Sequence, residues 1–319
     1  FLEAVADADT IVFDKTGTLT KASPTLVRVV SFDGRDPDEL LRIAACLEEH
    51  FPHSMARAVV AGAAAKGLEH EEMHSKVEYV VAHGISSSID GKKVVIGSYH
   101  FVFEDEGCVI PEDKIELYES LSKTHSHLFM GIDGRLAAVI SIKDPVRPES
   151  AEVVSRLKKL GIKKVVMMTG DSDRTAKAIA EQVGVDEYYS EVLPEDKAKF
   201  VEAEKTAGRK VIMVGDGIND SPALSASDAG IAVSDGAEIA REIADITVSA
   251  DNLYELVTLK ELSNKLMSRI NRNYRKIVTI NTGLIILGVM GVIQPTTSAL
   301  LHNSSTLLIS LDSMKKLLD

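Results

Sequence analysis

The sequence predicts an α/β protein built on a doubly wound parallel sheet, with a smaller α+β insertion after its first strand and an apolar helical hairpin at its C-terminal end. Three observations predict it. Short apolar runs ending in Asp, Thr or Gly alternate with helix-periodic stretches; the pattern changes to turn-linked alternation between Pro24 and about Ser141; and 35 consecutive positions, Ile277 to Leu311, contain no Asp, Glu, Lys or Arg. The length of 319 residues suggests two domains plus an appendage at roughly 150 residues per domain. With 45% hydrophobic and 26% charged residues, intrinsic disorder, a collagen-like chain and a disulfide scaffold are excluded.

The first strand is Thr10-Ile11-Val12-Phe13, an apolar run leading straight into Asp14-Lys15-Thr16-Gly17-Thr18. Ser150 to Leu160 is helix-periodic and capped by Gly161; Lys164 to Met168 is a second strand, ending at Thr169-Gly170-Asp171. Arg174 to Val183 is helical and stops at Gly184. Lys210 to Val214 is a third strand, ending at Gly215-Asp216-Gly217-Ile218-Asn219-Asp220, and Gly230 to Val233 is a short fourth. Strands alternating with helices form parallel βαβ units, whose ligands bind beyond the carboxyl ends of the strands. In the insertion, Pro37 to Ala65 reads as helix broken around Phe51-Pro52; Val77 to Gly97 and Leu128 to Ile142 read as hairpins turning at Ile89–Lys93 and Asp133-Gly134.

Charge is unevenly placed. The net charge is −12, yet from Lys260 onward eight basic residues stand against three acidic ones (+5), leaving −17 for the first 259 residues. An acidic body with a basic, apolar tail argues against nucleic-acid binding and points to a membrane boundary. Two distant cysteines, Cys46 and Cys108, fit a reducing compartment and form no structural metal site. Phe1 in place of Met, with no signal-peptide pattern, predicts a piece of a longer protein.

As one helix the uncharged stretch would run about 50 Å, beyond a bilayer core of about 30 Å, but Gln294-Pro295 divides it. Two transmembrane helices are predicted, about 277–293 and 296–314. Arg269, Arg272, Arg275 and Lys276 before them and Lys315 and Lys316 after them place both ends in the cytoplasm. A buried helix pair in a soluble protein is the alternative. The polar run His302 to Thr306 should face a partner helix or an ion path; it reads equally as helix-packing residues with one hydrogen-bonded histidine.

The three strand tips carry Asp14, Thr169 and Asp216, far apart in sequence but converging at one sheet edge. Asp14 is a candidate carboxylate nucleophile. Asp216 and Asp220 add negative charge that calls for a hard cation, and Mg²⁺ suits oxygen ligands. The Thr169 hydroxyl and Gly170 amide suit a phosphoryl oxygen, and Lys197 could neutralise another, although alone it reads as a solvated lysine. Position 16 is Thr, so no carboxylic acid stands two residues after Asp14 to protonate a leaving group or activate water. The aspartyl phosphate should therefore be long-lived, which suits a machine that changes conformation while phosphorylated.

Asp14-Lys15-Thr16-Gly17-Thr18-Leu19-Thr20, Thr169-Gly170-Asp171 and Gly215-Asp216-Gly217-Ile218-Asn219-Asp220 resemble the three signatures of P-type cation-transporting ATPases. The resemblance spans the chain and implies a haloacid-dehalogenase-like phosphorylation domain (1–23 and 142–258), an inserted nucleotide-binding domain (24–141) and a membrane-proximal helix with the last two transmembrane helices (259–319). It implies Asp14 as phosphate acceptor; Asp14, the Thr16 carbonyl and Asp216 as the Mg²⁺ site, with Asp220; Thr169, Gly170 and Lys197 as phosphate contacts; and Asp144, Asp171 and Asn219 in support, Asp144 belonging to the hinge motif Asp144-Pro145-Val146-Arg147. The insertion is similar to the small nucleotide domain of the heavy-metal branch, which implies ATP contacts at His53, Gly84 and Gly97, with Ser54 where Pro is usual and Ala82 in place of a Gly. His53 alone could equally be a surface histidine, and the pairs His70/His74 and His125/His127 read as solvated or structural.

The function so implied is ATP-driven transport of a transition-metal cation, with the soluble domains cytoplasmic and the membrane portion multi-pass. The partners implied are ATP, the metal cation, membrane lipid and an upstream part of the pump carrying its actuator domain and further membrane helices. His302 is a possible ligand of the transported metal. The alternatives are a soluble Mg²⁺-dependent phosphatase of the same core fold, which Thr16 and the tail disfavour, and a phospho-receiver that binds no nucleotide.

Overall fold

A computed structural model of the chain describes residues 1–318 except 22, 50–53, 69–77, 81–83, 123, 217–219, 234–241 and 250. Its centre is β1 (Thr10–Asp14), all five residues of which are buried. A strand covered on both faces belongs in the middle of a parallel sheet. There β1 lies between β8 (Lys164–Met168) and β10 (Val211–Gly215) in a six-stranded sheet ordered β12-β11-β10-β1-β8-β9, β11 being Ala229–Val233. All its pairings are parallel.

Alternate residues of β1 feed opposite layers. Ile11 and Phe13 join the core made with α1 (Leu2–Asp7), α5 (Ser150–Lys159), α6 (Asp173–Val183) and the first turns of a long helix (Tyr254–Val289). Val12 packs with Val166, Met168, Val211 and Met213 against α7 (Pro194–Thr206) and α8 (Ser221–Ala226). Gly184 stops α6 in the left-handed conformation, φ 79°.

The chain leaves this sheet after Thr20 and forms a second one, antiparallel, ordered β2-β7-β6-β5-β4-β3. The two hairpins expected from sequence are there: β4 (Gly84–Ile89) with β5 (Lys92–Gly97), and β6 (Ser126–Ile132) with β7 (Arg135–Lys143). Both turn through left-handed pairs, Asp90-Gly91 at φ 51° and 78° and Asp133-Gly134 at φ 49° and 76°. Helices α2 (Pro37–Glu48) and α3 (Ser54–Ala65) cover one face; an aromatic cluster with Phe32, Phe101 and Phe129, joined by Tyr118 of the short α4 (Ile115–Glu119), fills the other.

The segment Val77 to Gly97, expected as one hairpin, carries a third short strand, β3 (Glu78–Val80), paired with β4. Three other strands escape the sequence pattern: β9 (Glu187–Tyr189) and β12 (Ile246–Val248) are three residues each, too short to alternate, and β2 (Thr25–Ser31) is a half-exposed edge strand. Tertiary pairing alone defines them.

The long helix and the C-terminal helix (Pro295–Ser313) form the expected hairpin, broken before Pro295, which begins the second helix. The two are joined by Arg269 donating to the Ser313 and Lys316 carbonyls at 3.1 and 2.8 Å, and by Asn273 Nδ2 donating to Ser313 Oγ at 2.7 Å. The regular helices of this hairpin end at Val289 and Ser313, short of the expected bounds 293 and 314. Among the described residues no helix is long and apolar enough to cross a membrane. Regular helix ends at Val289, so its uncharged part is Ile277–Val289, about 20 Å at 1.5 Å per residue, directly after Arg275 and Lys276. The second helix is continuous, but its apolar sequence is interrupted by the polar run from His302 to Thr306.

At Gly134 an added Cβ would meet nothing within 4 Å, so the cost of a side chain there is conformational alone. Gly134→Ala is expected to lower stability by about 1 kcal/mol, read as a lower urea midpoint at unchanged slope.

Candidate active site

The register of the parallel sheet assembles the strand tips. Asp14 is level with Met168 of β8, which puts Thr169 one residue beyond it. Phe13 is level with Val214 of β10, so Gly215 is level with Asp14 and Asp216 lies one step further. Neighbouring strands are about 4.8 Å apart. Asp14 and Asp216 therefore leave adjacent strands at the same edge, as the reading of a shared ion requires.

Asp14 is buried, and its Oδ1 accepts from Lys197 Nζ at 2.6 Å; the same ammonium donates to Asp220 Oδ1 at 2.7 Å. Lys197 is not the solvated lysine that its local sequence suggests. It is 6% exposed and enters from the first turn of α7, which Pro194 starts. Burial pushes the Asp14 carboxyl up to about 6, and the Asp220 charge adds to this against the pull of Lys197. Burial also raises Asp220. For Lys197, burial works to lower its pKa, but Asp14 and Asp220 outweigh it and hold the ammonium above the usual lysine range. Asp220 is 1% exposed and also accepts from the Asp216 backbone amide, so it orients Lys197 and the β10 tip. A Cβ on Gly215 would collide with the Asp220 carboxylate, which explains the glycine.

The loop after Asp14 is a tight turn through Gly17, φ 77°, whose amide donates to Thr20 Oγ1 at 3.1 Å. Thr20 Oγ1 in turn donates to Asp144 Oδ2 at 2.5 Å. Burial raises the Asp144 pKa, and the Thr20 bond opposes it. Lys15 Nζ is paired with the Asp171 carboxylate and lies 3.4 Å from Ser126 Oγ of β6. Thr169 is buried; its Oγ1 accepts the Asp171 amide at 3.1 Å, while the Gly170 backbone is open to solvent.

Two residues of this loop's scaffold were not singled out from sequence. Arg147 is buried and its Nε donates to the Thr18 and Thr20 carbonyls at 2.9 and 3.0 Å; Ser150 Oγ donates to the Leu19 carbonyl at 2.9 Å. The one available signal was the position of Arg147 at the end of the hinge motif.

The structure thus gathers Asp14, Thr16, Asp144, Thr169, Gly170, Asp171, Lys197, Asp216 and Asp220 around one sheet edge. It does not bring Gly84, Gly97 or His302 there. Gly84 and Gly97 face each other across β4 and β5, and a Cβ on Gly84 would clash with Phe101 and with the Ile96 carbonyl at 2.5 Å. His302 lies on the C-terminal helix with Nδ1 2.7 Å from Asn281 Oδ1. His53, His70, His74 and Asn219 fall outside the described residues. His127 is structural: its ring bridges the Ser122 carbonyl at 3.0 Å and Ser141 Oγ at 3.2 Å, and burial lowers its pKa.

Among the described residues no group of three or more His, Cys, Asp or Glu side chains is clustered to hold a metal. The donors at the edge are nonetheless all oxygen. Asp14 and Asp220 share the Lys197 ammonium, Asp216 stands at the neighbouring strand tip, and burial together with the Asp220 charge raises the Asp14 pKa. A hard divalent cation that keeps several waters fits such a set.

Because Asp14 titrates near 6 in the folded chain against an ordinary 3.8, folding takes up a proton between these values. The contribution of this group to stability is full below about pH 4 and is lost as pH rises through 6. Asp14→Asn is therefore expected to stabilise the metal-free chain at pH 7 by on the order of 1 kcal/mol, with a smaller gain at pH 5, measured by urea unfolding in the presence of a chelator.

The haloacid dehalogenase-like hydrolase family matches residues 8–228. A zinc-exporting P-type ATPase of Mycobacterium marinum is 35% identical over 98% of the chain and 43% of its own length. A probable copper-exporting P-type ATPase V of Mycobacterium tuberculosis is 36% identical over 98% of the chain and 40% of its own length. The chain spans less than half the length of these relatives. Among solved structures, a zinc-transporting PIB-type ATPase in its E2.Pi state superposes with a TM-score of 0.64 at 30% identity, over 98% of the chain and 50% of the other. The catalytic domain of the CPx-ATPase CopB-B gives 0.63 at 28% identity, over 81% and 91%. With its buried strand-tip aspartate and the family match over residues 8–228, the chain belongs to the haloacid dehalogenase-like hydrolases, and it is similar to part of the zinc- and copper-exporting P-type ATPases.

Proposed function

We propose that this chain is the catalytic and membrane-adjoining part of a pump that exports a transition-metal cation, using ATP to phosphorylate Asp14. The observation that carries this reading is the buried pair of Asp14 and Lys197 at the centre of the sheet edge, beside Asp216 and with no acid two residues on. With a pKa of about 6, Asp14 is largely ionised at neutral pH and able to attack. Its free oxygen forms the bond to the γ-phosphorus of ATP as the bond to the ADP oxygen breaks. Lys197, the Thr169 hydroxyl and the Gly170 amide offset charge on the phosphoryl oxygens. Mg²⁺, which Asp14, Asp216 and the Thr16 carbonyl would hold, supplies further positive charge there.

Thr16 cannot deliver a proton or activate water, so the acyl phosphate persists until another part of the full pump brings water to it. In this reading residues 1–23 and 142–258 accept phosphate, and 24–141 bind ATP with His53, Gly84 and Gly97 among the contacts. Residues 259–319 enter the membrane beside the helices of the upstream portion. Exposed Ile277, Val278, Ile285, Ile286, Leu300, Leu301, Leu307 and Leu308 support that placement, since so large an apolar surface calls for lipid or partner helices. Asn281 Oδ1 can only accept, so His302 donates through Nδ1 and keeps a lone pair on Nε2. That geometry supports His302 as a ligand of the transported metal.

Asp14→Asn is expected to abolish acid-stable phosphate incorporation from labelled ATP while leaving nucleotide affinity unchanged. Label retained in that variant overturns the assignment. Lys197→Met should cut incorporation by about 10²-fold or more. Rapid turnover of small phosphomonoesters with no phosphoenzyme would instead mark a simple phosphatase.

A further inference from the structure

The last carbonyls of α1 have no partners within the helix. Lys260, on the second turn of the long helix, fills that place. It is 2% exposed, and its Nζ donates to the carbonyls of Val5, Ala6 and Ala8 at 2.8, 2.9 and 2.9 Å. Three N–H donors meet three acceptors, so the ammonium is fully used.

One turn later Asn264 Nδ2 donates to the Leu160 carbonyl at 2.9 Å, closing the end of α5 in the same manner. At the head of the helix Tyr254 donates to Glu152 at 2.5 Å, with Arg156 over its ring. No residue of the long helix beyond Ser263 is buried. The docked part is therefore three turns long, and the remainder leaves the body as one unbroken helix to Val289.

Lys260 is an expensive choice for packing alone. Among the described residues no carboxylate pairs with it, and burial pushes its ammonium down to about 8, opposed by the more distant Asp7 and Asp9. A methionine would fill similar space without desolvating a charge. What the ammonium adds is direction: it joins the long helix to the backbone at the root of β1, whose tip is Asp14.

We propose that Lys260 is a positioning residue that locks the root of β1 to the head of the long helix, so that a change at Asp14 reaches the apolar hairpin as movement of one rigid body. From Lys260 to Val289 the helix spans about 44 Å at 1.5 Å per residue, and it has no internal joint to absorb that movement.

This rests on the phosphate-acceptor reading above, and the test separates the two. In the full-length pump containing this chain, acid-stable phosphate from ATP and metal uptake into inside-out vesicles are measured for the parent, Lys260→Met and Lys260→Arg. Lys260→Met is expected to hold phosphoenzyme within about twofold of the parent while metal moved per ATP hydrolysed falls by about tenfold or more; Lys260→Arg, which can donate to the same carbonyls, recovers part of the loss. Should the Met variant fail to fold, Lys260→Gln, which keeps two donors, carries the same comparison. Unchanged metal moved per ATP, or phosphorylation and uptake lost in parallel, overturns the role of Lys260 alone. A parent that takes no phosphate on Asp14 overturns the pump reading and this inference with it.

Discussion

Negative charge gathered at one edge of the parallel sheet is the constraint on which the rest of the structure depends. Asp14, Asp216 and Asp220 meet at that corner, where Lys197 reaches two of them within 2.7 Å and Lys15, one residue after Asp14, is paired with Asp171. In a low-dielectric setting such pairs interact strongly, and leaving one member unpartnered is costly. The position of α7 against β10, and the glycine at 215 that lets Asp220 approach, are both consequences. In the proposed reading the same residual charge calls for a hard cation, and that cation together with Lys197 would offset the charge of a phosphoryl group.

The catalytic loop is held by the segment that returns from the insertion. β2 departs at Thr25 and β7 returns at Lys143, and these two residues pair with one another. Four residues after Lys143, Arg147 grips the carbonyls of the loop that follows Asp14. The second sheet touches the first through side chains near the same place. Besides Lys15 near Ser126, Arg174 of α6 donates to the Glu119 and Leu121 carbonyls at 2.6 and 2.7 Å, and Thr175 donates to the His125 carbonyl at 2.9 Å. These contacts tie the insertion to α6 and to the loop that follows Asp14.

At the other end three polar contacts lie between the two helices of the hairpin. Asn273 meets Ser313, Asn281 meets His302, and Lys276 lies 3.7 Å from Asp312. The apolar side chains of both helices are left outward. Polar groups turned toward a partner helix and apolar ones turned away is the arrangement that an apolar medium demands.

Short-range features were legible in the sequence. The apolar run into Asp14, the matching run of Lys164–Met168 and the Asp-Gly turns at 90–91 and 133–134 depend on neighbours a few residues away, and each appears in the structure as read. The convergence of residues 14, 169 and 216 followed as well, because parallel strands in a βαβ fold place their carboxyl ends together. Only the tertiary structure decided the partners. Lys197 and Asp14 are 183 positions apart, and nothing in Pro194-Glu195-Asp196-Lys197 distinguishes a buried lysine from a solvated one. The grip of Arg147 on the loop, the end of regular helix at Val289 and the three-residue edge strands were likewise invisible. Periodicity records which face of an element is buried, whereas a hydrogen bond or ion pair depends on where another element, distant in the chain, brings its own groups.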